Sequence, residues 1–299
     1  MKKGLLNDAF FSRLETMSLN LRSNLTGYFG GKHLVTTYGQ TVEFADFREY
    51  QLGDDIRRID WNLFSRFERY FLRLFTDERQ MNVQIFLDCS ASMGKDNKTK
   101  GAYSVAAAAA LGFLAVQNMD KVTFQLMKGE RSENPFGTLV GKNSFFRAIG
   151  ELENVEFDGE TDIEACVNSC PEVTSNNGLS VIISDFFTES NWKKAVDYLQ
   201  YKKRQILLIQ VMTPDEADPY YDGRVNLIDS ESVDISDVKN MKIKITRGML
   251  KAYAEAMRDF KKELSDYCAK REAGFITIRT DEAIERVLFG DLLKKGIMS

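Results

Sequence analysis

The run DCSAS at 88–92 sets one carboxylate, Asp88, and two hydroxyls, Ser90 and Ser92, at alternate positions of a short loop. Such all-oxygen donors suit a hard divalent cation, Mg²⁺ first and Mn²⁺ or Ca²⁺ after it, and not the softer metals that take thiolate or imidazole. Two further oxygens stand later in the chain: Thr161 follows Gly159-Glu160 at the start of a helical segment, and Asp185 directly ends the apolar run LSVIIS. Singly, each has a plainer role, since Thr161 could be a helix N-cap and Ser92 could cap the long segment after it. Together, two carboxylates and three hydroxyls nearly neutralise a divalent ion, with water completing its coordination. A carboxylate from a protein partner could replace one such water, which would make the site a device for metal-gated recognition.

These side chains need a scaffold that brings loops together. From residue 83 onward short apolar runs alternate with helical segments, the runs falling at 83–87, 122–126, 179–184, 206–211 and 275–279. Helices are expected near 99–118, 144–152, 162–170, 191–202, 247–270 and 282–294. This alternation predicts an α/β, Rossmann-like fold, a mainly parallel sheet with helices on both faces. Ligands of such sheets bind beyond the carboxyl ends of the strands, where Asp88 and Asp185 would stand. Two regions break the pattern and read as β-rich, 30–80 and 213–246. In the first, Tyr38-Gly39 suggests a turn before a strand, and RYFLRLFTDE alternates apolar residues. The chain is accordingly divided into 1–80, a helix plus a β-rich segment, and 81–299, the α/β domain with a β-rich insertion near 213–246. Because open strand edges are a hazard, the two β-rich regions are expected to pair with each other.

Composition narrows the function. With 43% hydrophobic residues in 299, the chain can bury a large core, and a net charge of −4 gives no pull toward nucleic acid or anionic membrane. Four cysteines, Cys89, Cys166, Cys170 and Cys268, form no CxxC pair, and His33 is the only histidine. Zinc chemistry is therefore disfavoured, and reduced buried thiols are expected. Asp8 and Arg13 interrupt what would be the apolar core of an export signal. The uncharged stretch 101–119 is long enough to span a bilayer, yet it is alanine-rich and contains Gly112, Gln117 and Asn118, so a buried crossover helix is expected. The resulting expectation is a cytoplasmic protein with no membrane span. No GxxxxGK[ST] or GxSxG motif occurs, and a phosphatase-like enzyme would want an acid where Ser90 stands. A non-enzymatic protein is expected; a Mg²⁺-dependent hydrolase and a metal-free scaffold are the alternatives.

The order D-x-S-x-S, Thr, Asp resembles the metal-ion-dependent adhesion site of von Willebrand factor A domains, over residues 82 to 295. The resemblance implies that Ser90, Ser92 and Thr161 are hydroxyl ligands, and that Asp88 and Asp185 hold the ion directly or through water. Upstream, REYQLGDDIRRIDWN at 48–62 is similar to the signature of a bacterial family catalogued as domain of unknown function 58, through Arg48, Tyr50, Gly53, Asp54, Asp55, Arg57, Asp60 and Trp61. Resemblance to that family implies a metal-dependent adaptor working with a MoxR-type AAA+ ATPase; many relatives carry membrane helices before this region, and this chain is expected to lack them. Read physically, Gly53-Asp54-Asp55 is a turn with two exposed carboxylates and a weak second cation site. Arg57, Arg58 and Asp60 would form an ion-pair network, and Trp61 would bury its ring.

Overall fold

The computed structural model describes residues 5–22, 42–51, 54–77, 80–94, 98–173, 178–188, 190–219, 224–227, 241–244, 246–287 and 290. In chain order its elements are α1 (Asp8–Arg22), β1 (Val42–Glu49), α2 (Trp61–Phe67), β2 (Phe71–Asp77), β3 (Asn82–Asp88), α3 (Ala91–Gly94), α4 (Lys98–Gln117), β4 (Lys121–Lys128), β5 (Arg131–Glu133), α5 (Gly141–Leu152), α6 (Ile163–Asn168), β6 (Gly178–Ser184), α7 (Trp192–Tyr201), β7 (Gln205–Met212), α8 (Pro214–Ala217), β8 (Arg224–Leu227), β9 (Met241–Lys244), α9 (Arg247–Ala269) and β10 (Gly274–Arg279). Two compact units emerge, Leu25–Gln80 and the remainder, so Met1–Asn24 belongs with the α/β unit and not with the β-rich segment with which the sequence reading groups it.

The α/β unit is built on a six-stranded sheet in the order β10-β7-β6-β3-β4-β5, parallel except for β5. This is the expected α/β, Rossmann-like architecture, a mainly parallel sheet with helices on both faces. The strand runs VQIFL, VTFQL, LSVIIS, ILLIQV and FITIR all lie in it, buried on both faces as parallel strands require. β3 is central. The chain passes from it to β4 on one side and later to β6 on the other, which makes the carboxyl end of β3 the topological switch point.

Alternation divides the sheet's side chains. Ile85, Leu87, Val122, Phe124, Val181 and Ile183 face α4, whose uncharged run is thereby explained: Ala106–Ala110 are wholly buried and let the helix approach closely. A Cβ on Gly112 would come within 2.9 Å of both Phe124 and Phe145. α4 is the one described helix long and apolar enough to cross a membrane, and 83% of that window is buried inside the protein. α1 covers α4 through Phe11, whose ring lies 5.1 Å from that of Phe113. On the opposite face Phe86, Met127, Ile182, Leu208 and Phe275 join α6, α7 and α9 in one core that includes Cys166, Cys170 and Cys268.

The β-rich regions depart from expectation. β1 pairs antiparallel with β2 and β8 with β9, each forming its own two-stranded sheet, and no ladder joins the two regions among the described residues. Each strand pairs with the next one in its own region, which costs less loop-closure entropy than pairing segments far apart in the chain. The Tyr38-Gly39 turn lies outside the described residues, as do 288, 289 and 291–294 of the expected last helix; 284–287 are helical.

Asp120, between α4 and β4, accepts the Met81 N–H at 2.8 Å through one oxygen, while the other has no hydrogen-bond partner. Burial pushes its carboxyl up from 3.8 to about 6, against the smaller opposing pull of Met81. A folded-state value above the unfolded one means that this group's stabilisation is full below pH 3.8 and lost as pH rises through about 6. Denaturant titrations of Asp120→Asn at pH 4 and pH 7 should show a flatter pH dependence than wild type, by up to about 3 kcal/mol. Equal slopes for the two proteins would contradict this assignment.

Candidate metal centre

Asp88 ends β3 and Asp185 follows β6 directly, and pairing of the two strands sets Ser184 beside Asp88. One oxygen of Asp88 accepts the Ser90 N–H at 2.9 Å and the other accepts the Ser184 hydroxyl at 2.5 Å. Ser184 in turn accepts the Phe186 N–H at 2.9 Å. The carboxylate is therefore fixed, and only 2% of Asp88 is exposed. Ser90 and Ser92 sit with their hydroxyl oxygens 3.1 Å apart at the start of α3, where Ser92 lies inside the helix and is not its cap.

Thr161 reaches this group through β4. Its hydroxyl donates to the Met127 carbonyl at 3.3 Å, and Met127 is the register partner of Asp88. The oxygen of Thr161 keeps its lone pairs for another partner. Asp162, and not Thr161, caps α6, accepting the Ala165 N–H. The loops are tied together by Ala91 N–H to Gly159 carbonyl at 2.8 Å and Asp158 N–H to Cys89 carbonyl at 2.9 Å. All five predicted positions thus gather at one end of the sheet.

Three participants carry no sequence motif. Ser184 is one. Lys100, in the first turn of α4, is fully buried, and its ammonium donates to Asp185 at 2.7 Å and to Glu216 at 2.7 Å. Burial alone would lower Lys100, but Asp185 and Glu216 outweigh it and hold the ammonium above its ordinary value. Glu216 is the third: its other oxygen accepts the Thr213 N–H at 2.8 Å in the capping box of α8, and its carbonyl accepts the Tyr253 hydroxyl at 2.9 Å. Nothing distinguishes a lysine before an alanine run, or a glutamate in a helix cap, as part of a site until the fold is known.

The donor set fits a hard divalent ion. Asp88 has no cationic side chain against it among the described residues; burial, and then the charge of Asp185, push its carboxyl up, while Ser184 and Ser90 pull it back. Among the described residues, Asp88, Asp185 and Glu216 against Lys100 leave a net charge of −2, which a divalent cation would cancel. No group of three or more His, Cys, Asp or Glu side chains suited to a metal occurs among the described residues, so a metal here would have to rest on hydroxyls as much as on carboxylates. The four thiols are buried and form no disulfide, and burial pushes Cys89 and Cys166 up to about 12, as expected of structural cysteines.

The 48–62 segment lies in the other unit. Arg48 pairs with Asp54 at 2.8 Å, and Asp54 also accepts the Gln51 N–H, so Asp54 is not one of two open carboxylates. Asp55 caps a single 3₁₀ turn, accepting the Arg57 N–H. Asp60 caps α2, accepting the Asn62 and Leu63 N–H groups. Both carboxylates of the weak second cation site, Asp54 and Asp55, hold local hydrogen bonds. Tyr50 binds the Tyr70 carbonyl through its N–H. Trp61, expected to be buried, is 61% exposed and packs edge-on against Phe64 and Tyr70. Gly53 lies outside the described residues.

The uncharacterized protein Mb1516 of Mycobacterium bovis is 27% identical over 237 residues, covering 78% of this chain and 74% of the relative. The uncharacterized protein Rv1480 of Mycobacterium tuberculosis matches to the same extent. Among solved structures, BatB from Bacteroides thetaiotaomicron is similar at a TM-score of 0.42 and 14% identity, over 72% of this chain and 98% of that one. A von Willebrand factor type A protein from Catenulispora acidiphila is similar at 0.34 and 14%, over 60% and 43%. A family model described as "Protein of unknown function DUF58" matches residues 46–262, a span that holds both the 48–62 signature and every candidate metal residue, and the chain belongs to that family.

Proposed function

We propose that this chain is a non-enzymatic, metal-dependent recognition module whose centre, formed by Asp88, Ser90, Ser92, Thr161 and Asp185, takes a carboxylate from a partner protein. The observation that carries this reading is the buried Asp88 carboxylate, fixed at the sheet's switch point with hydroxyls around it and, among the described residues, no side-chain cation against it. When bound, Mg²⁺, or Mn²⁺ or Ca²⁺ in its place, supplies an open coordination position for an outside Asp or Glu. The chain's own groups do the positioning. Ser184 and the Ser90 N–H hold Asp88, the Phe187 N–H holds Asp185 at 2.9 Å, and Thr161 sends its proton to Met127. The position two residues after Asp88 carries a hydroxyl where phosphoryl transfer would want an acid, which supports recognition over hydrolysis.

The partner we propose, on the strength of the family resemblance, is a MoxR-type AAA+ ATPase, met in the cytoplasm. No nucleic acid or membrane span enters this reading.

Calorimetric titration with Mn²⁺ should give saturable binding to wild type, weakened about tenfold or more in Asp88→Ala and Thr161→Ala with circular dichroism unchanged. Binding of the ATPase should follow the same pattern and vanish with chelator. An Asp88→Ala protein that binds partner as wild type does would overturn the reading. Ser184→Ala leaves every candidate ligand in place yet removes the hydroxyl donor to Asp88. It should weaken Mn²⁺ binding and lower stability by about 1–3 kcal/mol in urea denaturation.

A further inference from the structure

The proposed centre contains a cation of its own. Lys100 is clamped between Asp185 and Glu216 at 2.7 Å from each, fully buried, with the Phe187 ring 5.7 Å away. Neither acceptor can swing aside freely. The second oxygen of Asp185 holds the Phe187 N–H, and the second oxygen of Glu216 holds the Thr213 N–H. An ion drawn to Asp185 therefore meets a carboxylate already half engaged by a buried ammonium, and the two like charges repel.

We propose that Lys100 sets the charge of the centre, weakening the chain's own hold on a divalent ion while keeping the loaded centre receptive to an acidic partner group. The inference rests on the metal-dependent reading above. With the lysine, three carboxylates and a divalent ion sum to zero, and an incoming carboxylate brings the centre to −1. Without it the loaded centre already stands at −1, and the same carboxylate would have to enter against that charge. Glu216 tunes the balance from the other side. By taking a share of the ammonium it reduces Lys100's claim on Asp185, and its place in the α8 capping box keeps that share constant. Lys100 is thus a positioning residue that acts through Asp185, and no contact between it and the ion is required.

The test is calorimetric titration of the full chain with Mn²⁺, in wild type, Lys100→Met and Glu216→Gln, first alone and then with acetate as the carboxylate probe. Lys100→Met should bind Mn²⁺ about tenfold tighter or more, and Glu216→Gln about threefold weaker. Acetate should tighten Mn²⁺ binding in wild type and fail to do so in Lys100→Met. A lysine with a merely structural role would leave Mn²⁺ affinity unchanged or lower in Lys100→Met, and either result overturns the proposal. Should that variant not fold, Glu216→Gln decides, since unchanged or tighter binding there contradicts the account. Wild type that binds no Mn²⁺ removes the metal-dependent reading and this inference together, whereas wild-type binding without the opposed shifts removes the inference alone.

Discussion

The hydrogen bond from Ser184 to Asp88 joins the ends of two neighbouring parallel strands, and the arrangement around it follows from the problem it addresses. A buried carboxylate costs several kcal/mol unless it is hydrogen-bonded and its charge is met. Here the hydrogen bonds come from Ser184 and from the Ser90 N–H, while the described side chains offer Asp88 no cation. The fold puts this carboxylate where the chain diverges from β3 toward β4 and β6, the position at which open α/β sheets take their ligands. Backbone bonds tie the 88–92 and 158–161 loops together. Phe186 turns the chain away from Asp185 in the left-handed region, at φ +62, a conformation that a bulky residue keeps only when its surroundings require it.

The same packing delivers Lys100. A helix faced with alanines lies close to the sheet, and its first turn reaches the level of the strand ends, where a lysine can bury its whole side chain and still find two carboxylates. Stability and function are coupled at this point. The core helix that fills one face of the sheet also carries the charge that balances Asp185, and Glu216 links both to α8 and, through Tyr253, to α9.

Much of this was legible in the sequence because it is periodic or local. Short β-branched runs ending in Asp88 and Asp185, with helical stretches between them, suffice to infer a parallel sheet and to put the oxygen donors at its carboxyl end. What escaped was whatever depends on distant parts of the chain. Lys100, Ser184 and Glu216 acquire their roles only when α4, β6 and α8 converge, and no spacing announces that. β5, a three-residue strand of sequence RSE, has no apolar pattern to reveal it. The two β-rich regions were recognisable as strands, but their partners were not, since edge satisfaction by a near neighbour and by a remote one look alike in sequence. Trp61 failed for a related reason: a two-stranded sheet and a seven-residue helix offer too little surface to cover an indole, and it rests instead at the edge of Phe64 and Tyr70. Asp54, Asp55 and Asp60, whose carboxylates suggested charge chemistry, are engaged in an ion pair and two caps.

The central claim is that a divalent ion belongs between Asp88, Ser90, Ser92, Thr161 and Asp185. The most direct test is a crystal of the full chain soaked in Mn²⁺, with diffraction recorded on the manganese absorption edge. The account predicts one strong anomalous peak at the carboxyl end of β3, within coordination distance of the Ser90, Ser92 and Thr161 hydroxyls and lost in Asp88→Ala crystals. An anomalous map with no peak at this end of the sheet, or with manganese bound only elsewhere on the chain, would contradict it.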